Sequence, residues 1–304
     1  MATRVAVIGA GSWGTAVAAL VATNAAATLW ARRPDLAQEI ASDHVNGSYL
    51  PGIQLPDRLG ATSSLEEAVT GADVVVMGVP SHGFRAVITE LAPHLGTTTP
   101  VISLAKGLEQ DSLMRMTEVV KEVAPGLSRP IGVLTGPNLA REVLAGHPAA
   151  SVVALADEGI ACDLQQLFSS GTFRVYTNPD VIGCEIAGAL KNVIAIGGEP
   201  LTFSGLAGMG DLVATCISRQ SRNRHVGEAL GQGRVIDEIV AEMRMVAEGV
   251  KTSGPVVELA TRRGVEMPIA EQVASVIREG KTVPEAIIAL MQREAKTELY
   301  GIRS

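Results

Sequence analysis

Residues 5–14, VAVIGAGSWG, indicate how the amino-terminal half of this chain folds. The apolar run at 5–8 is typical of a buried strand, and the Ala-rich stretch at 15–23 is typical of a helix. Between them Gly9, Gly11 and Gly14 match G-x-G-x-x-G. Three glycines can simply form a turn, but the strand before them and the helix after them favour a dinucleotide-binding turn.

Each glycine of this motif has its own physical reason. Gly9 permits the tight turn, Gly11 lets a pyrophosphate approach the backbone, and Gly14 allows the helix to pack closely on the strand. The N–H groups and partial positive charge at the helix start attract phosphate. The sequence therefore predicts a dinucleotide cofactor.

Apolar runs and helical stretches alternate over the first 180 or so residues. Strands separated by helices predict an α/β Rossmann-like fold, a doubly wound parallel sheet covered on both faces. The candidate strands are Val5–Ile8, Ala26–Trp30, Val74–Val79, Val101–Leu104, Ile131–Leu134, Val152–Leu155 and Phe173–Tyr176.

The pattern changes after Asn178 and Pro179, where strand-like runs largely disappear. No Gly/Ser-rich or Pro-rich spacer marks the change, so we expect two domains packed directly: a dinucleotide-binding domain at 1–180 and an all-helical substrate-binding domain at 181–304. The candidate helices of the second domain are Asp180–Ile196, Ser204–Ser218, Arg222–Leu230, Val250–Arg263 and Ala270–Glu279.

The composition excludes several classes of protein. A net charge of −7 without a long basic run disfavours nucleic-acid binding. The three cysteines, an odd and sparse set without metal-like spacing, predict free thiols in a reducing compartment and no metal site. The first apolar run is too short for a signal peptide, and no apolar run approaches the ~20 residues of a membrane helix. We expect a cytoplasmic protein without membrane insertion.

The end of the second candidate strand bears on the choice of cofactor. An acidic residue there commonly binds the ribose hydroxyls of NAD, but this chain has Arg32 and Arg33, and Asp35 comes only after Pro34. Two guanidinium groups suit the 2′-phosphate of NADP, although they could also be a solvated pair in a loop. We expect NADP or NAD, with NADP accepted.

Lys191 and Asn192 are polar residues within an otherwise nearly apolar stretch, 185–196. A buried, unpaired ammonium group tends to lose its proton, which makes a lysine a usable acid or base. The alternative is that Lys191 extends to the surface and has no role in chemistry.

Further candidates surround a possible anion site. Residues 219–225 contain three arginines and a histidine, the densest cationic patch of this acidic chain, and suit a phosphate or a carboxylate. Ser221 within this patch could simply cap a helix. Lys106 and the Gly136-Pro137-Asn138 segment each follow a candidate strand, at the edge where open α/β sheets bind ligands.

The chain resembles the NAD(P)-dependent glycerol-3-phosphate dehydrogenases of the bacterial type. GALKN and SRNR are specific to that family, whereas the glycine motif is shared by many dehydrogenases. The matching segments, which run in order over most of the chain, are GAGSWGTAVA (9–18), VVVMGVPSH (74–82), SLAKGLE (103–109), GPNLAREV (136–143), CEIAGALKNVIAI (184–196), GLAGMGDLVATC (205–216), SRNRHVG (221–227) and VAEGVKT (246–252).

The resemblance implies an activity and a set of site residues. The activity is interconversion of sn-glycerol 3-phosphate and dihydroxyacetone phosphate, which supplies glycerol 3-phosphate for phospholipid synthesis. Lys191 is implied as the proton acceptor at the C2 hydroxyl, and the partner is a small phosphorylated substrate; a homodimer is compatible with this. The implied substrate residues are Lys106, Gly136, Asn138 (commonly Ser in the family), Lys191, Asp211, Ser221, Arg222 and Asn223. The implied cofactor residues are Gly9, Gly11, Ser12, Trp13, Gly14, Arg32, Arg33, Tyr49, Lys106, Ala140, Arg222, Val246 and Glu248.

One departure from the family pattern lies in the second half. Asp211 follows Lys191 by only 20 positions, and Ile196 runs directly into Gly197. The family normally has a glycine-rich segment and a long helix there, so an internal deletion between Ile196 and Gly197 is expected. Two alternatives stay open: a dinucleotide-binding protein whose catalysis is impaired or absent, and a related dehydrogenase that acts on a hydroxy acid or another phosphorylated sugar.

Overall fold

The structure is a computed structural model. It describes residues 3–128, 130–194, 221–243 and 247–292, and the side chains of residues 190–194 and 291 lie outside this description. The predicted helix Ser204–Ser218 also lies outside the described residues.

Eight strands form one sheet in the order β3-β2-β1-β4-β5-β6-β7-β8. The first strand is central and parallel to both neighbours, with Val5 level with Ala27 on one side and Val74 on the other. The strands are β1 (Arg4–Ile8), β2 (Ala26–Trp30), β3 (Leu59–Thr62), β4 (Val74–Met77), β5 (Val101–Ser103), β6 (Ile131–Thr135), β7 (Ala149–Ala154) and β8 (Phe173–Asn178).

Helices cover both faces of this sheet. Alternate residues of β1 enter opposite apolar layers: Val5 and Val7 pack on one side, and Ala6 and Ile8 on the other. This two-sided burial explains why the central strands are continuous apolar runs rather than alternating ones. The helices are α1 (Ser12–Asn24), α2 (Pro34–Asp43), α3 (Leu65–Val69), α4 (Ser81–Leu91), α5 (Met116–Val123), α6 (Ala140–Leu144) and α7 (Glu158–Phe168).

The doubly wound fold is confirmed, but the sheet is not parallel throughout. Strands β1 to β6 are parallel, whereas β7 runs antiparallel to β6, with Val133 level with Ala154, and β8 is parallel to β7. A parallel return needs a connection that runs back along the whole strand, and the five-residue α6 rises only about 7.5 Å. The chain therefore turns back beside β6.

One strand escaped sequence prediction. Strand β3 pairs with β2, with Ala27 level with Leu59, and its sequence is Leu-Gly-Ala-Thr. Four residues that include a glycine give neither alternation nor an apolar run, so only pairing with β2 makes this segment a strand.

The remaining described elements are helical. Helix α8 (Val181–Ile194) begins three residues after β8 and packs against both β6 and α11, so the described helical region adjoins the sheet directly. None of the described helices is long and apolar enough to span a membrane. The other helices are α9 (Arg222–Gly231), α10 (Ile236–Glu242), α11 (Glu248–Arg262), α12 (Pro268–Arg278) and α13 (Val283–Met291).

Candidate active site

The glycine turn (residues 9–14) joins β1 to α1 so tightly that the backbone leaves no room for side chains at Gly9 and Gly14. Gly9 has φ of 121°, a conformation that disfavours side chains, and a Cβ placed on Gly14 would lie 2.0 Å from the Gly9 carbonyl oxygen. A Cβ on Gly9 would in turn meet Gly78, which follows β4, at 2.9 Å. Gly78 is thus a third glycine required at this turn, and the motif alone does not identify it.

The glycine turn also leaves an opening that fits a pyrophosphate. Among the described residues, no atom would lie within 4 Å of a Cβ placed on Gly11. No side chain caps α1 at Gly11, and the first turn of the helix contains no acidic residue. The positive end of the helix therefore faces open space at Gly11, as a dinucleotide requires.

A buried asparagine, missed by sequence reasoning, holds the loop that contains Tyr49 against this turn. Asn46 donates from Nδ2 to the Ala10 carbonyl oxygen at 3.0 Å and to Thr15 Oγ1 at 2.8 Å. Its Oδ1 accepts from the Tyr49 N–H at 3.1 Å. The Ser12 hydroxyl donates to the Tyr49 carbonyl oxygen at 3.3 Å. Two of the predicted cofactor residues, Ser12 and Tyr49, therefore meet at the turn.

The Trp13 side chain packs into the apolar layer instead of facing the glycine turn. Its ring lies 6.0 Å from that of Phe173 on β8, within the apolar layer. What Trp13 offers to a phosphate is therefore its backbone N–H in the first turn of α1.

Cationic groups gather beyond the end of β2. Arg32 and Arg33 are both exposed, and Arg33 donates to Ser48 Oγ at 2.8 Å. Burial lowers the pKa of His82 at the start of α4, and the nearby charges of Lys251 and Arg32 lower it further. Lys251 thus brings additional positive charge close to Arg32, which favours an anionic ligand such as a ribose phosphate. The lowered pKa keeps the His82 imidazole neutral near pH 7, so His82 offers a hydrogen-bonding group there rather than a charge. Sequence reasoning did not select either residue, because their proximity depends on the fold.

A second site lies where β5 and β6 end. We call it the Lys106 crevice and define it by Lys106, Thr135, Gly136, Asn138 and Gly188. Lys106 donates from Nζ to the Gly136 carbonyl oxygen at 2.7 Å. The two predicted segments therefore meet, as expected for neighbouring strands whose carboxyl ends share one edge of the sheet.

The Asn138 side chain is held in this crevice through its amide oxygen alone. Its Oδ1 accepts a 2.5 Å hydrogen bond from Ser151 Oγ, while its buried Nδ2 has no partner among the described residues. An unpaired buried donor is costly, so this amide suits a polar ligand. The Asn in place of Ser therefore still supplies a hydrogen-bonding group.

Helix α8 closes the crevice from the helical side. A Cβ placed on Gly188 would lie 3.0 Å from Thr135 Oγ1 and 3.8 Å from Lys106 Cγ. Position 191 follows Gly188 by three residues, so the two positions lie on the same side of the helix. The helix thus brings position 191 to the crevice, while the Lys191 side chain is outside the described set.

The buried carboxylate of Glu185, one helical turn before Gly188, anchors the same side of α8. Glu185 accepts from the Thr117 N–H at 2.9 Å, from Thr117 Oγ1 at 2.6 Å and from Arg115 Nη1 at 2.9 Å. Burial raises the pKa of Glu185, and the contacts with Thr117 and Arg115 oppose this rise. No local pattern predicts the contact between Glu185 and Arg115, because Arg115 lies 70 residues earlier in the chain.

The described part of the cationic segment lies at the start of α9. Ser221 caps this helix, with its hydroxyl accepting from the Arg224 N–H at 3.2 Å, as expected for one of its two predicted roles. Asn223 Oδ1 accepts from the Gly249 N–H at 3.1 Å, which joins α9 to the start of α11, where Glu248 lies. Arg222 is exposed at the first position of α9.

Three other predicted site positions are Ala140, Asp211 and Val246. Ala140 is the first residue of α6, which follows the Gly136–Asn138 segment. Asp211 and Val246 lie outside the described residues. No group of three or more His, Cys, Asp or Glu side chains that could hold a metal ion occurs in the described ranges.

The fold and these two sites define a class, the dinucleotide-dependent dehydrogenases, with a glycine turn for the cofactor and a polar crevice beside it. The chain belongs to the NAD-dependent glycerol-3-phosphate dehydrogenase family. The model of the family's N-terminus matches residues 4–161, and the model of its C-terminus matches residues 196–288.

Individual relatives agree with this assignment. The chain is 50% identical over 333 residues to glycerol-3-phosphate dehydrogenase (NAD(P)+) 2 of Sphingopyxis alaskensis, covering 99% of each protein. It is 47% identical over 332 residues to the enzyme of that name from Mycobacterium avium, covering 98% of this chain and 97% of the relative. The crystal structure of glycerol-3-phosphate dehydrogenase from Coxiella burnetii superposes with a TM-score of 0.90 at 33% identity, over 96% of this chain and 99% of that one.

Proposed function

We propose that the chain interconverts sn-glycerol 3-phosphate and dihydroxyacetone phosphate by hydride transfer at C2, with NADP or NAD. The observation that carries the proposal is the Lys106 crevice, where Lys106 is fixed on Gly136 and α8 brings position 191 alongside. The printed names of relatives at 50% and 47% identity support the same activity. A role in supplying glycerol 3-phosphate for phospholipid synthesis follows from this product.

The residues divide the work of the reaction. In oxidation, the C2–H bond breaks, its electron pair leaves as hydride, and the hydroxyl proton passes to Lys191 Nζ as the C2–O bond becomes a carbonyl. The bound nicotinamide supplies the hydride acceptor, or the donor in the reverse direction. Lys106 and Asn192 steady the C2 oxygen. Arg222 and Asn223 hold the phosphate, and the bond from Gly249 fixes how the Asn223 amide is turned.

The wider set of assigned residues belongs to the same proposal. Asp211 and Ser221 line the substrate in addition, and Val246 and Glu248 contact the dinucleotide. Residues 1–180 form the cofactor domain, and 181–304 form the substrate domain. Arg32 and Arg33 accept the 2′-phosphate of NADP, supported by the extra positive charge of Lys251. Replacing both arginines with Ala should weaken NADPH binding and leave NADH binding nearly unchanged in titrations.

A spectrophotometric assay tests the activity directly. NADPH oxidation is followed with dihydroxyacetone phosphate and, in parallel, with a panel of keto acids. Turnover confined to dihydroxyacetone phosphate is expected, because Arg222 and Asn223 are assigned to a phosphate. Preference for a keto acid would instead identify a hydroxy-acid dehydrogenase.

We infer that the helical region is shorter than that of the relatives, because Ile196 runs directly into Gly197. The alignment with the Sphingopyxis enzyme spans 333 positions, whereas 99% of this 304-residue chain is about 301 residues, so about 30 positions lack a counterpart. An apolar cavity of about 320 Å³ lies among α9, α11, α12 and α13, lined in part by Val226, Leu230 and Val273. We infer that the missing positions would cover this cavity.

This shortening separates two outcomes of the assay. We expect the unaltered chain to turn over dihydroxyacetone phosphate. We also expect it to have a lower Tm than a variant with the corresponding Sphingopyxis segment inserted after Ile196. If only the variant with the inserted segment is active, the loss of activity in the unaltered chain comes from the shortened region and not from the site residues. Tight NADPH binding without turnover in both chains would favour a non-catalytic dinucleotide-binding protein.

Assembly and location complete the proposal. We propose a homodimer in the cytoplasm. The exposed Ile287 and Ile288 on α13 offer apolar surface for a second copy. Light scattering would measure the mass, and a monomer at micromolar concentration would contradict the dimer.

A further inference from the structure

Two threonine hydroxyls beside Lys106 are buried without a partner. Among the described residues, Thr135 Oγ1 and Thr252 Oγ1 are enclosed and make no hydrogen bond, and the residues are 3% and 1% exposed. Folded proteins satisfy nearly all buried polar groups, because an unpaired one loses its contacts with water and gains nothing. Such a hydroxyl next to a binding site therefore points to a ligand.

Thr135 is the better placed of the two. It is the last residue of β6 and directly precedes Gly136, whose carbonyl oxygen holds Lys106 Nζ at 2.7 Å. Gly188 lies so close that a Cβ there would be 3.0 Å from Thr135 Oγ1. The hydroxyl therefore lies between the lysine segment and the helix that contains position 191.

The neighbouring hydroxyl is already engaged. Ser151 Oγ donates to Asn138 Oδ1 at 2.5 Å, which ties β7 to the Gly136–Asn138 segment. Thr252 lies beside Gly107, the residue after Lys106: a Cβ placed on Gly107 would be 3.2 Å from Thr252 Oγ1. Thr135 is thus the unpartnered hydroxyl on the side of the crevice where α8 passes.

The proposed substrate has one polar group to which no particular residue has yet been assigned. Its phosphate is assigned to Arg222 and Asn223, and its C2 oxygen to Lys106, Lys191 and Asn192. The C1 hydroxyl remains. A threonine hydroxyl both donates and accepts, so it can pair with this group in the alcohol and in the ketone alike.

We propose that Thr135 Oγ1 hydrogen-bonds the C1 hydroxyl of the substrate and makes the enzyme select substrates with that hydroxyl. This inference rests on the proposed function. It assigns Thr135 to specificity, because the bond contacts an atom that does not change during hydride transfer.

The test pairs a variant with a substrate analogue. Hydroxyacetone phosphate is dihydroxyacetone phosphate without the C1 hydroxyl, so it cannot use the proposed bond. Thr135→Val removes the same bond from the protein side at nearly constant volume. We expect kcat/KM for dihydroxyacetone phosphate to fall by about tenfold to 100-fold in Thr135→Val, and that for hydroxyacetone phosphate to stay within about twofold. If turnover of the analogue is too slow to follow, its inhibition constant gives the same comparison.

Thermal unfolding without ligand provides an independent readout. Thr135→Val should leave the Tm unchanged or raise it, because it removes a buried hydroxyl that has no partner among the described residues. Thr117→Val is the matched control: its buried hydroxyl bonds Glu185 at 2.6 Å, so its loss should lower the Tm. A fall in Tm for Thr135→Val comparable to the control would show a structural role and overturn the proposal.

The remaining outcomes are also decisive. An equal loss on both substrates, or no loss on either, overturns the role of Thr135 while the activity itself stands. Selectivity that is lost in Thr252→Val but kept in Thr135→Val assigns the C1 hydroxyl to Thr252 and likewise overturns it. Failure of the unaltered protein to reduce dihydroxyacetone phosphate refutes the proposed function instead.

Discussion

The glycine turn and the Lys106 crevice are built in opposite ways. At the turn, the absence of side chains is what matters: Gly9 and Gly14 let two backbones touch, and Gly11 leaves space. The crevice is instead made of side chains and backbone groups from β6, α8 and the loops that follow β5 and β6, and two of its polar atoms, Thr135 Oγ1 and Asn138 Nδ2, have no partner within the described ranges. One site is set by steric exclusion, the other by hydrogen bonds that await a ligand.

This difference predicts how each site fails. A methyl group added at the turn either blocks the fold or blocks the ligand, depending on which glycine receives it. A polar group removed from the crevice should cost activity while leaving the fold intact. Substitutions in the two places therefore separate binding, stability and turnover.

The largest effect is expected at the crevice, from Lys191→Ala. Without a proton acceptor at the C2 hydroxyl, kcat should fall by about 1,000-fold, within the range of general acid–base catalysis. The Kd for NADPH, measured by fluorescence titration, should stay within a factor of about three, because the glycine turn is untouched. Lys121→Ala, an exposed lysine on α5, serves as the control. Near-normal turnover in Lys191→Ala would remove Lys191 from the mechanism.

Sequence reasoning recovered most of the sheet for a simple physical reason. Buried parallel strands are continuous apolar runs, and Val74–Met77 or Ala26–Trp30 can be identified without their neighbours. The strand Leu59–Thr62 was missed because its pairing with β2, rather than its own residues, makes it a strand. The reversal of β7 depends on how the chain turns after Gly136, which local patterns do not encode.

The same contrast holds for the two sites. The glycine turn follows from spacing alone, because contact between residues 9 and 14 is local. The hydrogen bonds of Asn46 and the contact of Glu185 with Arg115 join residues far apart in the chain, so no local sequence pattern predicts them. Lys106 and Gly136 were correctly brought together only because the edge rule for parallel sheets is general.

A pair of alanine substitutions tests the turn. Gly14→Ala places a methyl group 2.0 Å from the Gly9 carbonyl oxygen, so it should lower stability by about 1–3 kcal/mol and weaken NADPH binding by more than about 100-fold. Gly11→Ala meets no atom within 4 Å and should keep the original Tm while weakening NADPH binding by about tenfold, because the methyl group enters the phosphate space. Equal changes in Tm for the two variants would contradict steric exclusion as the organising feature.

Arg115→Met tests the buried anchor of α8. It leaves the Glu185 carboxylate, 1% exposed at its side chain, without its cationic partner, and should cost about 3 kcal/mol of stability near pH 7. Removing Arg115 raises the pKa of Glu185 further above its value in the unfolded chain, so stability is lost as the pH rises through that pKa. Acidification toward the ordinary carboxyl pKa should therefore narrow the Tm gap to the unaltered protein.

The control for this experiment is Arg262→Met, which breaks an exposed pair with Glu258 on α11. It should change the Tm little at any pH. A pH-independent Tm gap for Arg115→Met would mean that Glu185 is not left charged when its partner is removed. The kcat of Arg115→Met should fall together with its Tm, since α8 brings position 191 to the crevice.

The smallest effect is expected from Arg85→Gln, beside the loop that follows Lys106. Arg85 pairs with Glu109 at 2.7 Å, and its hydrogen bond lowers the pKa of Glu109 while burial opposes this. Because the pair is partly exposed, its loss should cost only about 0.5 kcal/mol near pH 7. A carboxyl with a lowered pKa contributes stability above its ordinary pKa and loses it as the pH falls through the lowered value. The Tm gap for Arg85→Gln should therefore close only at pH values below those at which the Arg115→Met gap narrows, and closing in the same range would show that burial does not distinguish the two carboxylates.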